Sequence, residues 1–306
     1  VAAPPRPGAR QETTVMEPAM ERAMEPDNSP MIRAWDGEVG QRWVTEQARY
    51  ERMHAPFGST LLAAAQLRPG MRVLDAGCGM GDRTIDAATT VGPHGKVVGV
   101  DVASPMLQVA QHRAIELGLD NARFIRADVQ TTEDLGFEEF DLALSQFGVM
   151  FFADPDAAFA NLCTALHPGG RLVFTCWQDL THQQHLMVPL TAALEHVPTP
   201  EFTADSWSYS AFSLADPTRT QALLAKAGFT DVEIQPTVAP MYQGADLSDA
   251  LRFLRQSELG DAVFGDAGPA ATAQGWEAVG TALAPYVRED GVFLDGAAWL
   301  VTATRT

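Results

Sequence analysis

The run Val73-Leu74-Asp75-Ala76-Gly77-Cys78-Gly79-Met80-Gly81 sets an acid and then alternate glycines between an apolar strand and a helix. Glycine accepts positive φ, and without a Cβ it lets a ligand lie against the main chain. The helix behind it begins with free N–H groups. Alone, the run is also what an ordinary strand-turn-helix looks like. Further features extend it. Val97-Val98-Gly99-Val100-Asp101 reads as a buried strand ending in an acid, which can accept both hydroxyls of a ribose. Phe124-Ile125-Arg126-Ala127-Asp128-Val129 is a strand with an acid just past its end. Phe140-Asp141-Leu142-Ala143-Leu144-Ser145 runs into Gln146-Phe147-Gly148. All four tips would lie along one carboxyl edge, where open α/β sheets bind ligands.

The elements that must hold these residues alternate. Strands are predicted at 72–75, 96–101, 122–126, 140–145 and 171–177, the fourth after a loop around Gly136. Helices fall between them at 83–91, 105–117 and 157–166. Such alternation argues for a parallel sheet covered on both faces. Before it, 34–66 has helical spacing, with Trp35, Val39, Trp43, Gln47 and Tyr50 on one face. Gly58 and Ser59 are expected to interrupt that helix, and 60–67 to form a second. After it come a helix at 218–227, a strand at 232–241, helices at 247–259 and 275–287, and a last strand at 291–304. Residues 1–30 are Pro-rich and read as a flexible tail, leaving 31–306 as one domain. Within it, 31–68 would be a helical lid, and 178–217 and 242–288 candidate covers.

The motif and the acid-tipped strands resemble the class I S-adenosylmethionine-dependent methyltransferases. They are most similar to the small-molecule members of the ubiquinone/menaquinone-biosynthesis type. The resemblance is strongest from Tyr50 to Trp177. It implies a doubly wound, Rossmann-like α/β fold with a seven-stranded sheet of mixed direction, and S-adenosyl-L-methionine as cofactor. It implies that Asp75 faces the cofactor's amino group while Gly77, Cys78 and Gly79 line its methionyl part. Asp101 would hold the ribose hydroxyls, Val102 and Met106 would sandwich adenine, and Asp128 with Val129 would meet the adenine edge. Ser145 to Phe147 match the loop after the fourth strand, and Leu166 to Gly170 the loop before the fifth. Related enzymes close a helix over the cofactor, which gives Trp43 that role, with Tyr50 toward the acceptor. Phe147, Trp177, Trp207, Tyr209 and Phe212 would build the acceptor pocket.

The chemistry implied is displacement at the sulfonium methyl by an O, N or C nucleophile of a small molecule, in secondary metabolism or a related pathway. His185 is the candidate proton acceptor, because the segment after the fifth strand begins at the ligand-bearing edge, and Gln146 is its positioning partner. His182 and His185, three apart on a helix following Thr181, would share a face. Two other readings stand beside this one. One is a protein that binds the cofactor without catalysis. The other is a nicotinamide-dependent oxidoreductase, disfavoured because the glycines are spaced Gly77-x-Gly79-x-Gly81 and no Tyr has a Lys four positions on. Asp154 and Asp156 read as a turn and helix start, so no metal is expected.

Composition narrows the partners. The 306 residues carry 39 acids against 21 bases, a net charge of -18, which repels nucleic-acid phosphates and anionic membrane surfaces. The 3 cysteines form no disulfide or zinc pattern, no charged-then-apolar leader opens the chain, and no apolar run is of membrane-spanning length. A reducing cytoplasm is the expected home. Composition does not predict an oligomeric state.

Overall fold

A computed structural model describes residues 28–132, 135, 139–199 and 211–306. The expected tail to residue 27, the loop at Gly136, Trp207 and Tyr209 therefore lie outside the described residues.

Five parallel strands form the heart of the molecule: β1 (Arg72–Ala76), β2 (Lys96–Asp101), β3 (Ala122–Arg126), β4 (Phe140–Gln146) and β5 (Leu166–Trp177). The long strands β6 (Phe229–Gly244) and β8 (Gly291–Arg305) join antiparallel, giving the order β3-β2-β1-β4-β5-β8-β6. These are the seven strands expected; the two-residue β7 (Val287–Arg288) pairs with β8 off that path. Both faces of the sheet are buried, so alternate residues feed separate cores. Val73 of β1 and Leu142 and Leu144 of β4 pack to one side with Ala87, Val91 and Leu61. Leu74 and Ala143 pack to the other with Phe57, Phe159 and Phe174. This is why the strands read as unbroken apolar runs. Pro236 and Pro240 sit on β6, an edge strand, where a missing N–H is tolerated. Strand order reverses between β1 and β4, and the crevice this opens lies at their carboxyl ends.

Helices α4 (Asp82–Val91), α5 (Ser104–Glu116) and α6 (Pro155–Ala165) connect the parallel strands. Asp154 caps α6 by accepting from the Ala157 N–H, the local role its sequence suggested.

The N-terminal region departs from expectation. It is three helices, α1 (Ser29–Asp36), α2 (Glu38–Thr45) and α3 (Gln47–Ala65), and α3 runs straight through Pro56, Gly58 and Ser59. Gly58 is there for space and does not break the helix: a Cβ would lie 1.9 Å from the Arg83 guanidinium. The fold also begins earlier than residue 31. Asn28 is buried, and its amide donates to Asp128 at 3.1 Å.

The chain after β5 forms α7 (Gln184–Leu194) and, later, helices Leu247–Arg255, Glu258–Phe264 and Pro269–Leu283. The helix expected over 247–259 is two, because Ser257 caps a new one by accepting from the Gly260 N–H. Segments 178–217 and 242–288 share one apolar cluster around Leu190, Val197, Leu254, Val263 and Leu283. Among the described residues no helix is long and apolar enough to cross a membrane.

Candidate active site

The glycine run makes the expected turn. Gly77, Gly79 and Gly81 have φ of 71°, 52° and 84°, the left-handed region open to glycine. A Cβ on Gly77 would come within 2.8 Å of the Gly148 Cα, so the turn and the post-β4 loop touch through their backbones. The N–H groups of Gly77 and Cys78 both donate to the Val100 carbonyl, tying the turn to β2.

Three carboxylates stand at the strand tips. Asp75 accepts from the Thr84 hydroxyl at 2.6 Å, and burial pushes its carboxyl up to about 7. Asp101 accepts from the N–H groups of Gly79 (2.7 Å) and Ala103 (2.9 Å), and burial pushes it up as well. Asp128 accepts from the Gln130 N–H at 3.0 Å and from Asn28. All three line one cavity of about 1120 Å³, with Gly77, Cys78, Gly79, Val102, Met106 and Val129. The cavity wall here offers buried carboxylates, the guanidinium of Arg83 and main chain bare of side chains. Those are the complements of an ammonium, a carboxylate, a ribose and a purine edge, so the donor set fits S-adenosylmethionine.

Ser145 does not belong to this wall. It is fully buried, its hydroxyl donates to the Ala76 carbonyl at 2.6 Å, and it accepts from the Gly148 N–H at 3.3 Å. On a strand, neighbouring side chains face opposite ways, and at this tip Ser145 points into the sheet while Gln146 faces the cavity. Its part is to fasten the post-β4 loop to β1.

The other half of the cavity is aromatic. Trp43 stacks on Tyr50 with centroids 3.9 Å apart, and Trp35 meets Trp43 edge-on at 5.4 Å. Phe147, held at φ 59°, stacks on Trp177 at 3.8 Å. A bulky residue in the left-handed region costs about 1–2 kcal/mol, so packing fixes its position. Trp43, Tyr50, Phe147, Trp177 and Phe212 all line the cavity; Trp207 is outside the described residues.

His185 lines the cavity too, 5.8 Å from Trp177 between ring centroids. Its Nδ1 lies 3.4 Å from the Asp295 carbonyl, and burial pushes its pKa down to about 4. His182 is not on the same face. It lies in a short 3-10 turn before α7, exposed, with its Nδ1 2.8 Å from Asp179.

Sequence reasoning missed His54, Arg83 and Asn28, all on the cavity wall. His54 follows Tyr50 by one helical turn, so extending the Trp43–Tyr50 face by four residues finds it. Arg83 is the second residue of α4, straight after the glycine turn. Asn28 carried no signal in the sequence.

Comparisons with known proteins bear on the family and the fold. A family model described as a methyltransferase domain matches residues 67–216. The chain is 35% identical to an aklanonic acid methyltransferase of a Streptomyces species over 45% of this chain. It spans only 64% of that relative's length. It is 32% identical to a ubiquinone/menaquinone biosynthesis C-methyltransferase of Ectopseudomonas mendocina, over 59% of this chain and 73% of that one. In fold it is similar to a Haemonchus contortus phosphoethanolamine N-methyltransferase solved with S-adenosylhomocysteine. That match has a TM-score of 0.54 at 18% identity, covering 90% of this chain and 59% of that one. The dehydrogenase reading has no further support, and the chain belongs to the class I S-adenosylmethionine-dependent methyltransferase family.

Proposed function

We propose that the protein transfers a methyl group from S-adenosylmethionine to an O, N or C nucleophile of a small, largely apolar molecule. One observation supports this above the rest: a single cavity joins a polar half at the tips of β1, β2 and β3 to an aromatic half under α2 and α3. The cofactor, when bound, supplies an electrophilic sulfonium methyl. The residues of the chain then have three tasks. Asp75, Arg83 and Asp101 hold the polar parts of the cofactor. Val102 and Met106 clasp adenine, with Asp128 and Val129 at its edge. Trp43, Tyr50, Phe147, Trp177 and Phe212 exclude water and align the acceptor with the S–CH₃ bond, and alignment is worth several kcal/mol of barrier. Where the nucleophile carries a proton, a neutral imidazole takes it, His185 being the candidate read from sequence and Gln146 its partner.

The net charge of -18 favours a small molecule over nucleic acid, and the 3 cysteines without a disulfide pattern favour a reducing, cytoplasmic setting. The test is calorimetry with S-adenosylhomocysteine, then a product screen of phenols, enols and amines with methyl-labelled cofactor. Folded protein that binds neither cofactor nor its demethylated product refutes the proposal.

A further inference from the structure

Both imidazoles on the cavity wall are placed to meet an acceptor, but they are not equivalent. His54 lies at the junction of two aromatic walls. On one side Trp43 and Tyr50 run nearly parallel to it, at 12° and 10°, with centroids 5.6 and 6.0 Å away. On the other, Phe147 and Trp177 tilt by 52° and 46° at 5.5 and 6.0 Å. The two ring pairs are inclined to one another like the sides of a wedge, and the imidazole meets both on the wall of the one cavity. His54 also borders the cofactor half. Its backbone carbonyl accepts from the Gln146 side chain at 2.8 Å, and Gly58, one turn on, lies against Arg83. His185 touches only the Trp177 side among these rings.

We propose that the acceptor is a flat, conjugated molecule bearing a phenolic or enolic hydroxyl, seated in this wedge, and that His54, rather than His185, takes its proton. This rests on the methyl-transfer reading above. The oxygen lone pair forms the new O–CH₃ bond as the S–CH₃ bond breaks, and that electron pair returns to sulfur. The O–H bond breaks, and the proton passes to the free ring nitrogen of His54. One positive charge leaves sulfur and one appears on imidazole, so charge balances, and water later removes the proton. The groups around His54 favour a neutral ring. Burial and His185 push its pKa down to about 4, Arg83 adds to this, and only Asp82 and the Tyr50 carbonyl oppose it. A neutral ring has a lone pair free to accept a hydrogen bond from the hydroxyl, and the positive charge leaving sulfur is what drives the proton onto it.

The test uses the full chain saturated with S-adenosylhomocysteine and two probes, a naphthol and its methyl ether, which differ in one O–H donor. Calorimetry should show the wild type preferring the naphthol about tenfold. The preference should vanish in His54→Phe, which keeps an aromatic ring, and persist in His185→Phe. In turnover with labelled cofactor, His54→Ala should lose about 100-fold in rate, with added imidazole restoring part of it. Equal binding of both probes by wild type, binding of neither, or a preference that follows His185 overturns the proposal. Methylation of alkylamines alone overturns the acceptor class. Failure to bind S-adenosylhomocysteine at all refutes the methyl-transfer reading instead.

Discussion

Asp75 gives a quantitative prediction about the cofactor's amino group. Its carboxyl is raised by burial from 3.8 to about 7 while Thr84 holds one oxygen. A carboxylate whose pKa is higher in the folded protein than in the unfolded chain destabilises the fold as pH rises. The fold is favoured fully below the ordinary carboxylate range, and that favour is lost up to pH 7. A shift of about three units corresponds to about 4 kcal/mol by pH 8. Asp75→Asn keeps the shape and an oxygen for Thr84 but cannot ionise. The cofactor-free variant should therefore melt higher than wild type at pH 8, with about a third of that gain at pH 5.

Binding should move the other way. An ammonium selects the ionised carboxylate, which is about nine-tenths populated at pH 8 and about one-tenth at pH 6. Wild-type affinity for S-adenosylhomocysteine should thus fall roughly tenfold between those pH values. In Asp75→Asn the affinity should be weaker at pH 8, and its pH dependence should shrink to the share that Asp101 contributes. His54 and His185, both pushed down to about 4, stay neutral over this range and add no slope. Asp101 is also raised, so Asp101→Asn is run in parallel to separate its share. Calorimetry at pH 6, 7 and 8 decides the matter. A wild-type affinity identical at pH 6 and 8, or an Asp75→Asn protein that binds like wild type, refutes the reasoning.

Other outcomes follow from the same geometry. Asp101→Ala should weaken S-adenosylhomocysteine by about 1.5–3 kcal/mol, a loss that calorimetry would read directly. Ser145→Ala should cost about 1–3 kcal/mol of stability in chemical denaturation, because the Ala76 carbonyl and Gly148 N–H lose a buried partner, while cofactor affinity per folded molecule stays the same. A chain starting at Asn28 should fold and bind like the full chain, since it keeps the Asn28 amide on Asp128 and all the helices and strands described. One starting at Met31 should bind S-adenosylhomocysteine more weakly, as it loses the Asn28 amide on Asp128. Equal affinities for the two truncations would remove Asn28 from the site.

The parallel half of the fold was legible because burial on both faces leaves a plain mark. Val73, Leu74, Val97, Val98, Leu142 and Leu144 are each almost wholly buried, so the strands show as apolar runs ended by Asp75, Asp101 and Ser145. Where local signals misled, a tertiary contact had overruled them. Gly58 reads as a helix breaker, yet α3 continues because the glycine makes room for Arg83. Ser145 was assigned from its place in a loop, but a loop match does not say which way a side chain points. Asn28 was lost in a Pro-rich stretch, its partner Asp128 being a hundred residues away.

The two halves of the site differ in legibility for the same physical reason that they differ in construction. The cofactor half is made by successive strand tips, so each contributor stands next to its own apolar strand in sequence. The aromatic half is made by α3, α7 and the helices after β6, which meet only in three dimensions. Ion pairs and an apolar contact join the N-terminal helices to the segment after β6. Arg49 is buried between Glu46 at 2.9 Å and Asp249 at 2.8 Å, and Glu46 also takes Arg252 at 3.1 Å. Arg42 reaches Glu258 and Asp261, both at 3.5 Å. The exposed pairs contribute little singly, and removing Asp249 would leave the buried Arg49 guanidinium to Glu46 and the Gln243 carbonyl. The Tyr50 ring follows Arg49 by one residue and touches Phe253 of the cover edge-on at 5.7 Å. The aromatic wall is thus tied both to the N-terminal helices and to the segment after β6.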